Sequence, residues 1–208
     1  MADILHAGAP LARACAAAIL LHGRGADAQG MFALADEFGQ DDIAYLAPQA
    51  PGHSWYPYSF LAPLAQNEPY LSEALATVGA TLDHAARAGF AAERVALIGF
   101  SQGGCLALEY VARNARRYGA VAGLSAGLIG PPGAPRDHAG SLAGTPVFLG
   151  CSDIDSHIPL ERVHESRDVL TRMGAFVTER IYPGMGHTVN ADEITHVAKL
   201  LAGIDAVP

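Results

Sequence analysis

A serine within residues 99–103, Gly-Phe-Ser-Gln-Gly, is the strongest candidate for chemistry in this sequence. An apolar run precedes this segment and a helix-forming stretch follows it. A strand, a tight turn and a helix in that order form a nucleophile elbow, which holds a serine hydroxyl clear of the backbone. The flanking Gly99 and Gly103 leave room for such a turn. We therefore predict that Ser101 is a nucleophile and that the backbone N–H of Gln102 binds an oxyanion.

A serine nucleophile needs a general base and a carboxylate that orients the base, and both residue types follow predicted strands later in the chain. Asp153 and Asp155 come directly after one predicted strand, and His187 follows another in a glycine-containing turn. We expect His187 to take the proton of Ser101 and return it to the leaving group, while an aspartate fixes the imidazole tautomer. Spacing leaves both aspartates open, since counting Gly-x-x-Asp from Gly150 favours Asp153.

A second oxyanion donor is predicted in the turn after the first predicted strand, which reads His-Gly-Arg-Gly over residues 22–25. A His-Gly turn at this place supplies a backbone N–H, which we assign to Arg24. Each such donor lowers an activation barrier by about 3–4 kcal/mol. The side chain of Arg24 is expected to point into solvent or to pair with Asp27. The alternative is that it reaches the substrate cavity and pairs with a carboxylate there.

An aromatic and proline-rich loop over residues 48–60 follows the second predicted strand, with Trp55 and Tyr56 at its centre. These two side chains could belong to the core or line a substrate cavity. A loop bounded by prolines at the end of a strand favours the cavity. We therefore expect Trp55 and Tyr56 to contact the substrate.

Strand-like and helix-like segments alternate along the chain, which predicts βαβ units and a parallel sheet with helices on both faces. The ligand site of such a sheet lies at the carboxyl ends of its strands, where all the candidates above fall. Predicted strands cover residues 16–21, 43–46, 94–99, 119–124, 146–150 and 176–182. Predicted helices cover residues 29–38, 68–88, 102 to about 117, 160–173 and 192–201.

Length and composition bound the remaining possibilities. The 208 residues are 50% hydrophobic and 16% charged, which predicts one globular domain over residues 1–208. The net charge of −8 argues against nucleic acid and against anionic membrane surfaces as partners. No apolar run reaches the roughly 20 residues that span a bilayer. Three scattered cysteines form no disulfide or zinc pattern, which favours reduced thiols and a cytoplasmic location.

Together these motifs resemble the phospholipase/carboxylesterase family of α/β-hydrolases, which includes acyl-protein thioesterases and bacterial carboxylesterases. Members of the family often read Asp-Pro-x-Val-Pro at the acid. Residues 155–159, Asp-Ser-His-Ile-Pro, match that pattern without a gap, so the resemblance favours Asp155 over Asp153. The family often has leucine where Arg24 stands. The resemblance spans nearly the whole chain, and its motifs are residues 20–25 (Leu-Leu-His-Gly-Arg-Gly), 99–104 (Gly-Phe-Ser-Gln-Gly-Gly), 146–160, 184–187 (Gly-Met-Gly-His) and the loop over 47–56.

The resemblance implies an α/β-hydrolase fold without a large cap, and cleavage of carboxylic esters or thioesters through an acyl-serine intermediate. It assigns catalysis to Ser101, Asp155 and His187 and the oxyanion hole to the N–H groups of Arg24 and Gln102, with no metal or cofactor. The expected substrate is a small-molecule ester or thioester of small to medium acyl length, and members of the family can pair as homodimers. Two alternatives are a dienelactone-hydrolase-like lactone hydrolase and, from another class, a non-catalytic binding protein on this fold. The lactone hydrolases usually have cysteine as nucleophile, which counts against the first.

Overall fold

Seven strands form one sheet in the computed structural model, which describes residues 3–204. The predicted domain limits, residues 1 and 208, lie outside the described residues. The strands are β1 (Ile4–Gly8), β2 (Ala16–Leu21), β3 (Ile43–Pro48), β4 (Val95–Phe100), β5 (Ala120–Leu124), β6 (Pro146–Ser152) and β7 (Phe176–Tyr182). The helices are α1 (Gly30–Glu37), α2 (Leu64–Asn67), α3 (Tyr70–Arg87), α4 (Gln102–Arg113), α5 (Leu160–Arg172) and α6 (Ala191–Ala202).

The sheet has the order β1-β3-β2-β4-β5-β6-β7, and its neighbouring strands are parallel except for β1, which runs antiparallel to β3. All six residues of β2 are buried, as a strand covered on both faces requires. The predicted parallel sheet is therefore confirmed, with one antiparallel edge strand added. The parallel strands all end at the same edge of the sheet, which brings the loops after β2, β4, β6 and β7 together.

Helices cover both faces of the sheet and bury a separate apolar core on each. Side chains of α3, α4 and α5 pack on one face, and those of α1 and α6 pack on the other. In β4, Leu97 belongs to the first core and Ile98 to the second, as the alternation of a strand requires. None of the helices within residues 3–204 is long and apolar enough to cross a membrane.

Apart from bounds that shift by one or two residues, three elements differ from the sequence prediction, and one of them is the short helix α2, since no helix was predicted over residues 64–67. Strand β1 was not predicted, because its five residues at a sheet edge, three half-buried and two exposed, carry little periodic signal of their own. Helix α4 ends at Arg113 instead of near residue 117, because Asn114 leaves helical geometry and its side-chain amide donates to the carbonyl of Tyr110 at 2.9 Å. Asparagine competes with the helical backbone in this way. Arg116 lies beyond the helix, with its guanidinium over the ring of Tyr118.

Candidate active site

Ser101 occupies the turn between β4 and α4 with φ 54° and ψ −121°, a strained conformation for a residue with a side chain. The chain segments around the turn approach very closely. A Cβ atom at Gly99 would lie 2.4 Å from the carbonyl of Gly103, and one at Gly103 would lie 2.1 Å from the carbonyl oxygen of Leu21. Real side chains cannot occupy that space, so both glycines are required for Ser101 to stand at the carboxyl end of β4.

A continuous hydrogen-bonded line runs from Ser101 through His187 to Asp155. The His187 Nε2 atom lies 2.9 Å from the Ser101 hydroxyl oxygen. Its Nδ1 atom lies 2.8 Å from Oδ2 and 3.0 Å from Oδ1 of Asp155. Because a carboxylate only accepts hydrogen bonds, Nδ1 carries the proton and Nε2 accepts from the serine hydroxyl. This is the protonation that a general base acting on Ser101 needs.

The Asp155 carboxylate is fully buried at 0% side-chain exposure, yet it is well supplied with donors. Its Oδ1 atom accepts from the backbone N–H groups of His157 at 2.8 Å and Ile158 at 3.0 Å. The Cys151 thiol donates to Oδ2 at 3.7 Å. Burial alone would raise the pKa of this carboxyl, but the bonds from His187 and from the two N–H groups hold the pKa below its usual value. Asp155 therefore stays ionised beside His187.

Asp153 has a different position. Its Oδ1 atom accepts from the backbone N–H of Gly184 at 2.7 Å, and its side chain contacts the turn that carries His187 instead of the imidazole itself. The neighbouring Ser152 hydroxyl accepts from the N–H of Gly186 at 3.0 Å. The structure thus brings Asp155 and not Asp153 to the histidine, while Asp153 and Ser152 fix the turn. Ser152 was not predicted from the sequence, because it matches no motif.

The two predicted oxyanion donors lie on the turn after β2 and at the start of α4. Gln102 is the first residue of α4, where the N–H has no acceptor within the helix. The N–H of Arg24 donates to no acceptor in the part of the chain that the structure describes. A Cβ atom at Gly23 would lie 3.5 Å from the Cβ of Ser101, so this turn passes directly beside the serine.

His22 and Trp55 support that turn from inside the protein. The His22 ring is buried, its Nδ1 donates to the carbonyl of Gly23 at 2.8 Å, and its Nε2 accepts from the N–H of Ala50 at 3.1 Å. Burial lowers the pKa of His22, which keeps the ring neutral. The Trp55 indole N–H donates to the carbonyl of His22 at 2.8 Å. Trp55 is 3% exposed and does not line the cavity at Ser101, so its predicted substrate contact is replaced by a structural one.

The side chain of Gln102 attaches the aromatic loop to α4, a role that was not predicted from the sequence. Its Oε1 atom accepts from the N–H of Trp55 at 3.0 Å, and its Nε2 atom donates to the carbonyl of Tyr56 at 2.8 Å. A single residue thus begins α4 directly after the serine and positions the loop with its side-chain amide. No local pattern indicates this second role, because the partners are more than 40 positions away in sequence.

A cavity of about 600 Å³ opens at Ser101 and His187. Tyr56 lines it as predicted from the sequence, and the other apolar contributors include Tyr58, Phe60, Phe100 and Ile158. Tyr58 is exposed and Ser101 is partly exposed, so a substrate can enter from solvent.

The guanidinium of Arg24 also lines this cavity while it stays exposed to solvent, and it does not pair with Asp27. One terminal nitrogen donates to the Ser54 hydroxyl at 3.1 Å and to the carbonyl of Pro57 at 2.9 Å. The other donates to the carbonyl of Tyr58 at 2.7 Å. The expected pairing with Asp27 is therefore wrong. The side chain is exposed, as expected, but loop carbonyls more than 30 positions away hold the guanidinium at the cavity.

Comparisons with known proteins agree with this architecture. A family model described as Phospholipase/Carboxylesterase matches residues 6–204. Acyl-protein thioesterase 1 of Yarrowia lipolytica is 26% identical over 205 residues, which cover 89% of this chain and 90% of that protein. Acyl-protein thioesterase 1 of Gibberella zeae is 32% identical over 122 residues, so that the match spans 54% of this chain and about half, 49%, of that relative.

Among solved structures, the phospholipase/carboxylesterase from Dyadobacter fermentans is 42% identical to this chain, with a TM-score of 0.93 and 97% coverage of both chains. The seven-stranded sheet, its helices and the absence of a large cap within residues 3–204 match the α/β-hydrolase fold of that structure. This chain is therefore a hydrolase that belongs to the phospholipase/carboxylesterase family.

Proposed function

We propose that this protein hydrolyses carboxylic esters or thioesters of small to medium acyl groups through an acyl-serine intermediate. The observation that carries the proposal is the hydrogen-bonded line from Ser101 through His187 to Asp155, set at a strained turn beside a cavity. Family membership supports an ester-cleaving reaction, and the geometry supplies a complete set of groups for it.

In the proposed mechanism, the Ser101 oxygen attacks the carbonyl carbon of the substrate while His187 Nε2 takes the hydroxyl proton. Asp155 stabilises the imidazolium that results. The backbone N–H groups of Arg24 and Gln102 donate to the oxyanion of the tetrahedral intermediate. His187 then gives its proton to the leaving alcohol or thiol, which departs and leaves an acyl ester on Ser101. Water then attacks the acyl ester while His187 takes a proton from the water. His187 returns that proton to the Ser101 oxygen, which releases the acid and restores the free serine.

The volume of the cavity is consistent with an acyl group of small to medium length. The cavity volume of about 600 Å³ is enclosed in part by aromatic rings and opens at the exposed Tyr58. Pockets of this size hold small-molecule ligands. We therefore expect turnover to rise with acyl length and then fall once the chain is longer than the cavity.

The proposal is tested with a series of nitrophenyl esters from acetate to dodecanoate, together with a matched thioester and a lactone. Wild type is compared with Ser101→Ala and with Ser72→Ala, which alters an exposed serine on α3 as a control. Ser101→Ala is expected to lose about 10⁴-fold or more of the turnover, while Ser72→Ala matches wild type. A fluorophosphonate should label wild type and not Ser101→Ala. Absence of both turnover and labelling in wild type would overturn the proposal, and a lactone preference would replace the open-chain ester as substrate.

A further inference from the structure

The cavity at Ser101 carries a positive charge and no negative one, in a chain whose net charge is −8. Arg24 is the one permanently charged side chain among the described residues that line it. The two histidines that also line it, His157 and His187, cannot add a negative charge. Burial raises the pKa of the Cys105 thiol to about 12, so this lining group stays neutral. Asp155 lies behind His187 and does not line the cavity. The lining thus favours an anionic ligand.

The charge of Arg24 is not neutralised by the protein. Its three hydrogen-bond acceptors, the Ser54 hydroxyl and the carbonyls of Pro57 and Tyr58, are all uncharged. No ion pair within residues 3–204 includes Arg24. The nearby Asp27 accepts instead from the N–H of Gly30 at 2.8 Å.

The guanidinium is also held in place with donors to spare. A guanidinium has five N–H donors, and the bonds to the loop use three of them. Its carbon atom lies 5.9 Å from the centroid of the buried Tyr56 ring, which lines the same cavity. Because these contacts fix the side chain before a ligand arrives, little further entropy is lost on binding.

The position of Arg24 relates this charge to the reacting serine. Arg24 directly follows Gly23, the residue whose Cβ position lies 3.5 Å from the Cβ of Ser101. A substrate whose carbonyl sits at Ser101 can therefore extend along the Arg24 side chain within one small molecule. A carboxylate matches the planar fork of a guanidinium better than a neutral group does.

We propose that the Arg24 guanidinium forms a carboxylate subsite, so that the preferred substrates are esters carrying a free carboxylate a short distance from the scissile carbonyl. Half-esters of dicarboxylic acids, and esters of alcohols or phenols that bear a carboxylate, belong to this class. The inference rests on the proposed esterase function and specifies its substrate.

The test compares each anionic ester with its own neutral methyl ester. One pair is the mono-nitrophenyl ester of adipic acid and its methyl ester, which places the carboxylate on the acyl side. The other is the butyrate ester of para-hydroxybenzoic acid and its methyl ester, which places it on the leaving-group side. The quantity measured is the ratio of kcat/KM for anionic over neutral ester. Both esters of a pair are measured with the same protein, so a general loss of activity in a variant cancels in the ratio.

Wild type is expected to favour the anionic member of at least one pair by about tenfold, which corresponds to about 1.4 kcal/mol. Arg24→Gln, which keeps the backbone N–H, should bring that ratio close to one. Arg24→Lys should retain part of it, because lysine keeps the charge without the fork. Arg13→Gln removes the same charge from an exposed residue and should keep the wild-type ratio. Added salt should lower the wild-type preference, since Arg24 is exposed.

A ratio near one for both pairs in wild type, or an unchanged ratio in Arg24→Gln, would overturn the carboxylate subsite. In either case, hydrolysis of the neutral esters and fluorophosphonate labelling of Ser101 would leave the esterase function standing. Absence of hydrolysis of every ester together with absence of labelling would overturn both proposals.

Discussion

Replacement of Asp155 by asparagine is expected to lower kcat/KM by about 10⁴-fold while the fold stays intact. The carbonyl oxygen of the substituted amide can still accept from the N–H groups of His157 and Ile158, which now donate to Oδ1 at 2.8 and 3.0 Å. The amide N–H group then faces His187 Nδ1, where the Oδ2 oxygen lies 2.8 Å away in wild type. A donor at that place requires Nδ1 to accept, which moves the imidazole proton to Nε2 and leaves no base toward Ser101.

The magnitude follows from this change of tautomer. The equivalent aspartate-to-asparagine change in a serine protease lowers turnover by about 10⁴-fold with the geometry intact. A factor of 10⁴ corresponds to about 5.5 kcal/mol of transition-state stabilisation. The contacts of Asp155 support the same size here, because its carboxylate is fully buried and water cannot take its place.

The assay is ester hydrolysis with Asp153→Asn as the matched control, and circular dichroism verifies the fold of both variants. Asp153 is exposed and accepts from the N–H of Gly184 at 2.7 Å, a bond that an asparagine carbonyl can also accept. Asp153→Asn should therefore lose less than about tenfold, the equivalent of about 1.4 kcal/mol. The role given to Asp155 is wrong if Asp153→Asn loses as much activity as Asp155→Asn, or if Asp155→Asn keeps a tenth or more of it.

Two further predictions concern stability. Gly103→Ala is expected to lower the free energy of unfolding by about 3 kcal/mol and the Tm by roughly 6–12 °C, because its Cβ would lie 2.1 Å from the Leu21 carbonyl oxygen. Gly79→Ala on α3, where the nearest atom would be 3.4 Å away, should melt at or above the wild-type temperature, and equal melting of the two variants would contradict the steric explanation. Burial raises the pKa of the Glu193 carboxyl from 4.5 to about 7, so the folded state binds this proton more tightly than the unfolded state does. Protonation of Glu193 therefore stabilises the fold at low pH, and this stabilisation is lost as the pH rises through about 7. Between pH 5 and pH 8, the free energy of unfolding of wild type should therefore fall by about 2.5 kcal/mol relative to that of Glu193→Gln, as measured by denaturant titration. Parallel pH profiles of the two proteins would show that Glu193 does not titrate in this way.

The parts of the fold and site that could be predicted from the sequence depend on short-range requirements. Continuous apolar runs such as that of β2 predict buried parallel strands, and the close backbone contacts around Ser101 can be met only with glycine at 99 and 103. Because parallel strands end at one edge, residues directly after strand ends could be expected to meet. That geometry brought Asp155 and His187 to Ser101, and their catalytic roles stay predictions for experiment.

The parts that could not be predicted depend on contacts between distant segments. Trp55 was expected to face the substrate, but its indole N–H is bound by the His22 carbonyl, 33 positions earlier. The guanidinium of Arg24 was expected in solvent or on Asp27; it is exposed, but carbonyls of the aromatic loop hold it instead of Asp27. Strand β1 exists because β3 offers it a partner edge. None of these outcomes is visible until the segments are placed in three dimensions.

Detection of the acyl-enzyme itself would test the proposed acyl-serine mechanism most directly. Wild type is mixed with a nitrophenyl butyrate in excess, quenched in acid within the first turnovers, digested and analysed by mass spectrometry. We expect one butyryl group on the peptide that contains Ser101, formed in step with a burst of nitrophenol, and no such group in Ser101→Ala. Turnover that proceeds with Ser101 unmodified in wild type, or at the same rate in Ser101→Ala, would contradict the acyl-serine mechanism.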